Sequence, residues 1–453
     1  MHFGMFFELQ LPRPWEADSE QQLVRDALQW AEIGEQAGIG YAWAQEHHFL
    51  EEYSHSTAPE VFLAAVSQRT VRMRVGHGIT LMPPSYNHPA RVAERIAMLD
   101  LVSEGRVEWG TGESSSRIEL EAFGVPYIEK RAMWAECVRE AAKMMARTPY
   151  PGYAGKYFSM PPRNVVPKPV QRPHPPLWVA CTNRETLKLA ARLGMGALTF
   201  SFMNAAESRF WVNEYYETFM KECQPIGQTV NPNVAMLAGL YVHPNGQIAE
   251  ERGLRGQQFF KWALAHYYRF GKHVPGRTNL WDEFQHVEPE PMAGIGAVGD
   301  PKRVREHFAE MEEAGVDQVI VLQQAAGYEH EQICESLELA GREVLGEFIE
   351  RHEERNRRKM AKLEPYVERA LTRLPEIFDT EPEPVVAYPR QWAEEGATEQ
   401  QIGARRAVDA AALWRMHVGQ SDGRVSGSAH PAGGRAVVTP SADLGPSGVP
   451  DAQ

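Results

Sequence analysis

Cysteine is scarce in this chain. Its four thiols, Cys137, Cys181, Cys223 and Cys334, lie far apart and form no Cys-x-x-Cys pair, so neither a disulfide framework nor a cysteine-built metal centre is expected. No apolar run is long enough to cross a bilayer, and no membrane association is expected. Positive charge is not in excess: the formal net charge is −13, which argues against nucleic acid as a partner. His-x-His is absent from the first strand and His-x-x-x-His from the helices, which leaves no metal motif. No internal repeat is found. The first residues, Met1-His2-Phe3-Gly4-Met5-Phe6-Phe7, open as a strand rather than as a signal peptide, so a cytoplasmic location is expected.

What the chain does have is regular alternation. Apolar runs fall at His2–Glu8, Tyr41–Gln45, Arg72–Thr80, Arg106–Gly110, Pro176–Ala180, Ala197–Ser201, Val234–Val242 and Gln318–Leu322, with amphipathic segments between them. Alternation of this kind calls for parallel strands joined by helical crossovers. Eight such runs, with the first and last both hydrophobic, predict an α/β fold of the (β/α)8 TIM-barrel type rather than an open doubly wound sheet. Two insertions interrupt it. Pro149–Pro176 reads as an extended loop or hairpin, and Gly271–Val298 as a cover over the barrel mouth. Residues 1–350 are read as the barrel domain, 351–418 as a charged helical extension, and 419–453 as a disordered Gly/Ser/Pro/Ala tail.

The candidate chemistry sits at strand ends, where such barrels place their active sites. Glu46-His47-His48 ends the second strand. His47 is read as a proton donor or hydrogen-bond donor lining a cavity, against the alternative of a core histidine bonded to backbone. Gly76-His77-Gly78-Ile79 and Gly110-Thr111-Gly112 leave room for a flat ring at the third and fourth strands, or simply form tight strand exits. Ala180-Cys181-Thr182-Asn183, with Thr186, opens a helix after the fifth strand. It suits a phosphate, or plain N-capping. Arg131 can reach the same anion. Gly294-Ile295-Gly296-Ala297-Val298-Gly299 matches GxGxxG, but Pro289 and Pro291 before it rule out the required strand, so a glycine-rich loop is expected. Trp262 and His266 share a helix face, and form a cavity wall or ordinary core. Phe6, Trp43, Trp109 and Trp262 would give a pocket suited to a small, largely apolar molecule.

Taken in order, Phe3-Gly4-x-Phe6, Glu46-His47-His48-Phe49, Asn87-His88-Pro89-Ala90-Arg91, Leu99-Asp100, Ser103-Glu104-Gly105-Arg106, Ala122-Phe123-Gly124, Trp178-Val179-Ala180 and Val298-Gly299-Asp300-Pro301 resemble the bacterial luciferase-like family of flavin-dependent monooxygenases. The likeness spans about Met1 to Phe348. It implies a barrel that binds reduced FMN at the carboxyl ends of its strands, receives it from a separate NAD(P)H:flavin reductase, and reacts it with O2 to a flavin peroxide. The resemblance makes His47 the active-site histidine. It implies a cis Gly78–Ile79 peptide against the flavin ring, Gly112 in place of a reactive cysteine, and a phosphate region at Ala180, Cys181, Thr182, Thr186 and Arg131. Glu113 stands where the family often has arginine, and Arg117 is expected to substitute. The family usually dimerises through the helices beside the second and third strands. A deazaflavin (F420) dependent oxidoreductase and a non-catalytic flavin-binding subunit are the alternatives on the same fold.

Overall fold

The computed structural model describes residues 1–200, 203–288, 296–374 and 383–384. Eight parallel strands form a closed barrel: β1 (His2–Phe7), β2 (Tyr41–Ala44), β3 (Arg74–Leu81), β4 (Val107–Gly112), β5 (Leu177–Cys181), β6 (Gly196–Thr199), β7 (Val234–Val242) and β8 (Gln318–Leu322). They are paired in sequence order, and β8 closes back on β1 with Met5 opposite Val321. Helices α1 (Ser19–Gln36), α2 (Pro59–Arg69), α3 (Pro89–Val102), α4 (Lys130–Ala146), α5 (Arg184–Arg192), α6 (Ala205–Glu222), α7 (Gly246–Ala265), α8 (Pro301–Glu313) and α9 (His330–Ala340) follow the strands. The closed (β/α)8 barrel read from the alternation is the fold.

Period-2 alternation sorts side chains into two cores. Phe3, Met5, Phe7, Ala42, Val75, Val107, Leu177, Val179 and Val319 pack outward against the helices. Phe6, Trp43, Trp178, Leu198, Ala235, Leu237 and Ile320 fill the barrel. Trp109 belongs to the outer set. Its expected place in a substrate pocket is therefore corrected: odd positions of β4 face the helices, while Glu108 turns inward to receive Trp178 Nε1 at 2.6 Å.

Trp43 fills the barrel floor. An added Cβ on Gly76 would come within 2.4 Å of its ring and one on Gly4 within 2.9 Å. Its Nε1 donates to Gln318 Oε1 at 2.9 Å. Above it, the β3–β4 register shifts between His77 and Thr80. The shift moves β3 from even to odd inward positions, so that Ile79 and Leu81 join the interior. Gly110 lies opposite this irregularity, where a Cβ would sit 2.0 Å from the His77 carbonyl oxygen. The described cis peptides, Arg13–Pro14, Thr148–Pro149, Val166–Pro167 and Arg172–Pro173, all precede proline. Gly78–Ile79 is not among them, which corrects the expected cis bond.

The first insertion contains an antiparallel hairpin, Tyr153–Ala154 with Ser159–Met160. Two short helices, Arg117–Ala122 and Leu280–Gln285, lie in loops that the sequence reading left without structure. Of the GxGxxG segment, Gly294 and Ile295 lie outside the described residues. Ala297–Gly299 forms a short strand beside β7 instead of a loop, and Asp300 then caps α8 through Arg303 N. After the barrel, helix His352–Leu371 packs at the amino-terminal ends of the strands, where Lys359 Nζ donates to Asp317 Oδ1 at 2.9 Å and to Asn233 Oδ1 at 2.6 Å. The remainder of the expected helical extension, apart from residues 383–384, and the tail lie outside the described residues.

Gly110→Ala has no escape from a backbone oxygen. It should cost about 2–3 kcal/mol, the upper range for overpacking, measured as a fall in the denaturant midpoint. An unchanged midpoint would contradict the close approach of β3 and β4.

Candidate active site

The carboxyl ends of the strands converge on His47. Its backbone N–H donates to Ser56 O at 2.9 Å, folding the loop after β2 back on itself. Its imidazole lies between two buried carboxyl groups from other strand exits. Nδ1 is 3.1 Å from Glu119 Oε1, on the short helix after β4. Nε2 faces Glu8 Oε1, just past β1, at 3.6 Å, outside hydrogen-bond range. Glu8 is 1% exposed and Glu119 0%. The Glu8 Oε1 atom has no hydrogen-bond partner. Tyr268 OH sits 3.4 Å from Nδ1, and the Tyr53 ring lies edge-on to the imidazole.

Burial disfavours a charged imidazole, but Glu8 and Glu119 outweigh it and raise the His47 pKa to about 9. Glu119 shows the reciprocal effect. Burial would lift it, yet His47, the Ser114 hydroxyl and the His48 N–H together hold it below the usual carboxylate range. Glu8 moves the other way, because burial outweighs the attraction of His47. The result is an imidazolium–carboxylate pair on the Nδ1 side and an uncommitted donor and acceptor facing each other on the Nε2 side. Such an edge can give or take a proton.

The backbone around this trio is strained. Of the four described non-glycine residues with positive φ, Glu104 (56°) lies before β4, and the others are Leu9 (55°), Phe49 (65°) and Ser114 (58°). Those three each lie within a few residues of one of the three groups. Left-handed backbone costs roughly 1–2 kcal/mol per residue and gathers where geometry is over-determined for function. Glu46 does not join the trio. It accepts from Leu81 N at 2.7 Å and Asn87 Nδ2 at 2.8 Å, locking the β2 exit to the β3 exit.

The cover docks on the same loop. Glu51 accepts from Gly276 N at 2.7 Å and pairs with His273 at 3.0 Å. Glu52 accepts from Arg13 N, Trp281 N and Leu280 N, so it caps helix Leu280–Gln285. Under this cover, Trp262 packs on Phe284, and the Trp262 and His266 rings are 6.0 Å apart. A π-helical turn, His266–Phe270, ends α7. Such turns are rare and frequent at functional sites. This one carries Tyr268, which reaches His47. Phe6 enters the same apolar wall beside Phe200 and Phe260.

The other expected residues separate by face. Ile79 and Ala180 face the interior, and a Cβ on Gly112 would lie 2.5 Å from Ile79 Cδ1. Beside Gly78, the Gln45 side-chain amide nitrogen is buried without a hydrogen-bond partner. Cys181 instead packs in the outer core, where burial lifts its thiol far above the usual range. Only its backbone can serve a ligand. Asn183 caps α5, bonding Thr186 N at 3.0 Å and Thr186 Oγ1 at 3.2 Å, so the capping alternative describes these two residues. Thr182 is exposed. Arg131 pairs with Glu113 at 2.8 Å. Arg117 pairs with Glu121 on the surface and does not replace it. The reading from sequence missed Glu8 and Glu119; each is one glutamate among many until the fold brings it to His47. Among the described residues, no group of three or more His, Cys, Asp or Glu is placed to hold a metal ion, and no helix is long and apolar enough to cross a membrane.

Fold and site together define a TIM-barrel protein with a histidine set between two buried carboxyl groups at the carboxyl face of its strands. The sequence profile of the luciferase-like monooxygenases matches residues 1–318, and the chain belongs to that family. The oxygenase component of a flavin-dependent trigonelline monooxygenase from Acinetobacter baylyi is 24% identical over 330 residues, covering 70% of this chain and 88% of that protein. An F420-dependent glucose-6-phosphate dehydrogenase from Amycolatopsis mediterranei is 26% identical over 192 residues, covering 41% of this chain and 56% of that protein. A crystal structure of a monooxygenase from Streptomyces bottropensis superposes with a TM-score of 0.64 at 24% identity, covering 77% of this chain and 100% of that one. It shares the fold.

The His47 ring should titrate near pH 9 by NMR of labelled histidine, and Glu119→Gln should bring it down toward 6.5. A folded-state pKa above the unfolded value stabilises fully below pH 6.5, and that stability is lost as pH rises through about 9. A wild-type midpoint at 6.5 would contradict the ion pair.

Proposed function

We propose that this chain is the oxygenase of a two-component flavin-dependent monooxygenase. It takes reduced FMN from a separate NAD(P)H:flavin reductase and uses O2 to oxygenate a small, largely apolar organic molecule. The reading rests on family membership and on one observation: His47 Nε2 and Glu8 Oε1 face each other, uncommitted, beside an apolar wall. A relative named as the oxygenase component of a flavin-dependent monooxygenase supports the separate reductase.

The residues present fit the cofactor. Ile79 over Gly112 offers an apolar surface for a flat ring. The unpartnered Gln45 amide offers a donor for its polar edge. Lys130 and Arg131 offer positive charge for its phosphate. Bound there, reduced FMN would supply the two electrons with which O2 gives one oxygen atom to the substrate and the other to water. The protein supplies position, dryness and protons. Glu119 and Tyr268 orient the imidazole from the Nδ1 side. His47 keeps a proton at Nε2 through neutral pH, ready to donate to developing negative charge. Leu50, Tyr53, Phe260 and Tyr267, all buried, keep water from that edge.

The F420-dependent relative favours a second reading, hydride transfer from a deazaflavin, in which the same His47–Glu8 edge would handle the proton. Anaerobic spectral titration with each cofactor separates the two.

In the oxygenase reading, purified protein binds reduced FMN without oxygen and incorporates oxygen into a substrate on aeration. His47→Asn should lower coupled product formation by about 10²–10⁴-fold, the usual range for a lost acid or base, with O2 then released as hydrogen peroxide. Unchanged coupling in His47→Asn, or no binding of reduced FMN, would sink this reading.

A homodimer is part of the proposal. Val61 on α2 and Met98, Leu101 and Val102 on α3 are 68%, 52%, 42% and 40% exposed, an apolar strip on two adjacent helices. Light scattering should give twice the chain mass, and Met98→Asp should shift it toward the monomer. A wild-type monomer at micromolar concentration would contradict the dimer.

A further inference from the structure

The loop from β4 into α4 adds a carboxylate, Glu113, to the two cations assigned to the phosphate, and the proposed chemistry gives it no part. Glu113 follows Gly112 directly at the strand exit. Arg131 Nε donates to its two carboxylate oxygens at 3.0 and 2.9 Å, and an Arg131 terminal nitrogen lies 2.8 Å away. Lys130 Nζ is 3.4 Å from the same carboxylate and donates to Ser115 Oγ at 3.1 Å and to Ser114 O. The Lys130 side chain is 8% exposed. Arg131 also acts electrostatically on Cys181, so this charge lies near the end of β5. Two cations at the start of one helix thus converge on a single spot at the rim, and the chain's own carboxylate fills it.

A buried ammonium without a counter-charge is strongly disfavoured. Glu113 supplies that counter-charge. Arg131 is 44% exposed, and an ion pair open to solvent contributes little net stability. The contact is therefore strong enough to keep both cations in place, and weak enough for a dianion to replace.

We propose that Glu113 is an internal stand-in for the phosphate of the flavin: it holds Lys130 and Arg131 at the phosphate position and releases them when the cofactor docks. The inference rests on the flavin reading above. It has one distinctive consequence. The phosphate must compete with a resident carboxylate, so it adds less to binding than two cations would otherwise allow. Affinity stays moderate, as suits a cofactor that arrives from a reductase and leaves after each turnover.

The test compares binding of FMN with binding of riboflavin, which lacks only the phosphate. Both are titrated in reduced form, anaerobically, by absorbance and protein fluorescence. Glu113→Gln keeps the shape and a hydrogen-bond acceptor but removes the charge. It should tighten FMN about five- to tenfold, the scale of one released charge-assisted contact, and leave riboflavin unchanged. Arg131→Gln should weaken FMN alone, and in that background Glu113→Gln should have a smaller effect. Thermal melts without flavin verify that each variant is folded, and Glu113→Ala repeats the measurement if the glutamine variant is not. If FMN and riboflavin both bind but their affinity ratio is unmoved or reduced by Glu113→Gln, the stand-in role is overturned while the flavin reading survives. If wild type binds neither flavin, both are overturned together.

Discussion

The organising constraint of this protein is a partly buried imidazole held between two buried carboxyl groups. Glu8, His47 and Glu119 come from the exits of β1, β2 and β4, so the trio exists only while the barrel keeps its register. A slip of one residue on β1 or β2 would turn the group to the opposite face. The register is held from several directions. Gln323 pairs both its amide atoms with the backbone of Phe6, and Gln324 does the same with Gln10. Glu46 ties β2 to β3. Closure below and side-chain clamps above leave His47 little freedom, which is what a preorganised site requires.

One short loop does most of this. Between Gln45 and Ser56, the chain supplies the clamp to β3, the imidazole, and the two carboxylates that anchor the cover. The cover and the histidine are therefore held by the same loop. The amino-terminal ends of the strands carry different work. There Asp100 accepts from Gln171 N and Nε2 at 2.8 and 2.7 Å, and Arg106 donates to the carbonyls of Ser67, Ser103 and Met73. Helix His352–Leu371 packs at that same end, away from the chemistry.

Much of the fold was legible because its signals are local. Strands buried on both faces appear as apolar runs, and crossover helices as amphipathic spacers, so the eight strands and their order followed directly. The misreadings have specific causes. Trp109 looked like a pocket residue because it is a large apolar side chain near a strand exit, and composition does not report parity. The two short helices depend on partners elsewhere: Leu280–Gln285 is capped by Glu52, more than two hundred residues away. The motifs behind the family resemblance are partly structural. Asn87, Asp100 and Arg106 brace the barrel, and of that series His47 alone contributes a side chain to the trio. Glu8 and Glu119 carry no local mark. Only the closed barrel brings them to the imidazole.

The central claim is that this trio addresses a flavin ring. The most direct measurement is a crystal structure of the protein with FMN. The account predicts the ring against Ile79 and Gly112, with His47 Nε2 turned to it and Glu119 still bonded to Nδ1. A ring bound elsewhere, or a His47 edge closed against Glu8 with the flavin in place, would contradict it.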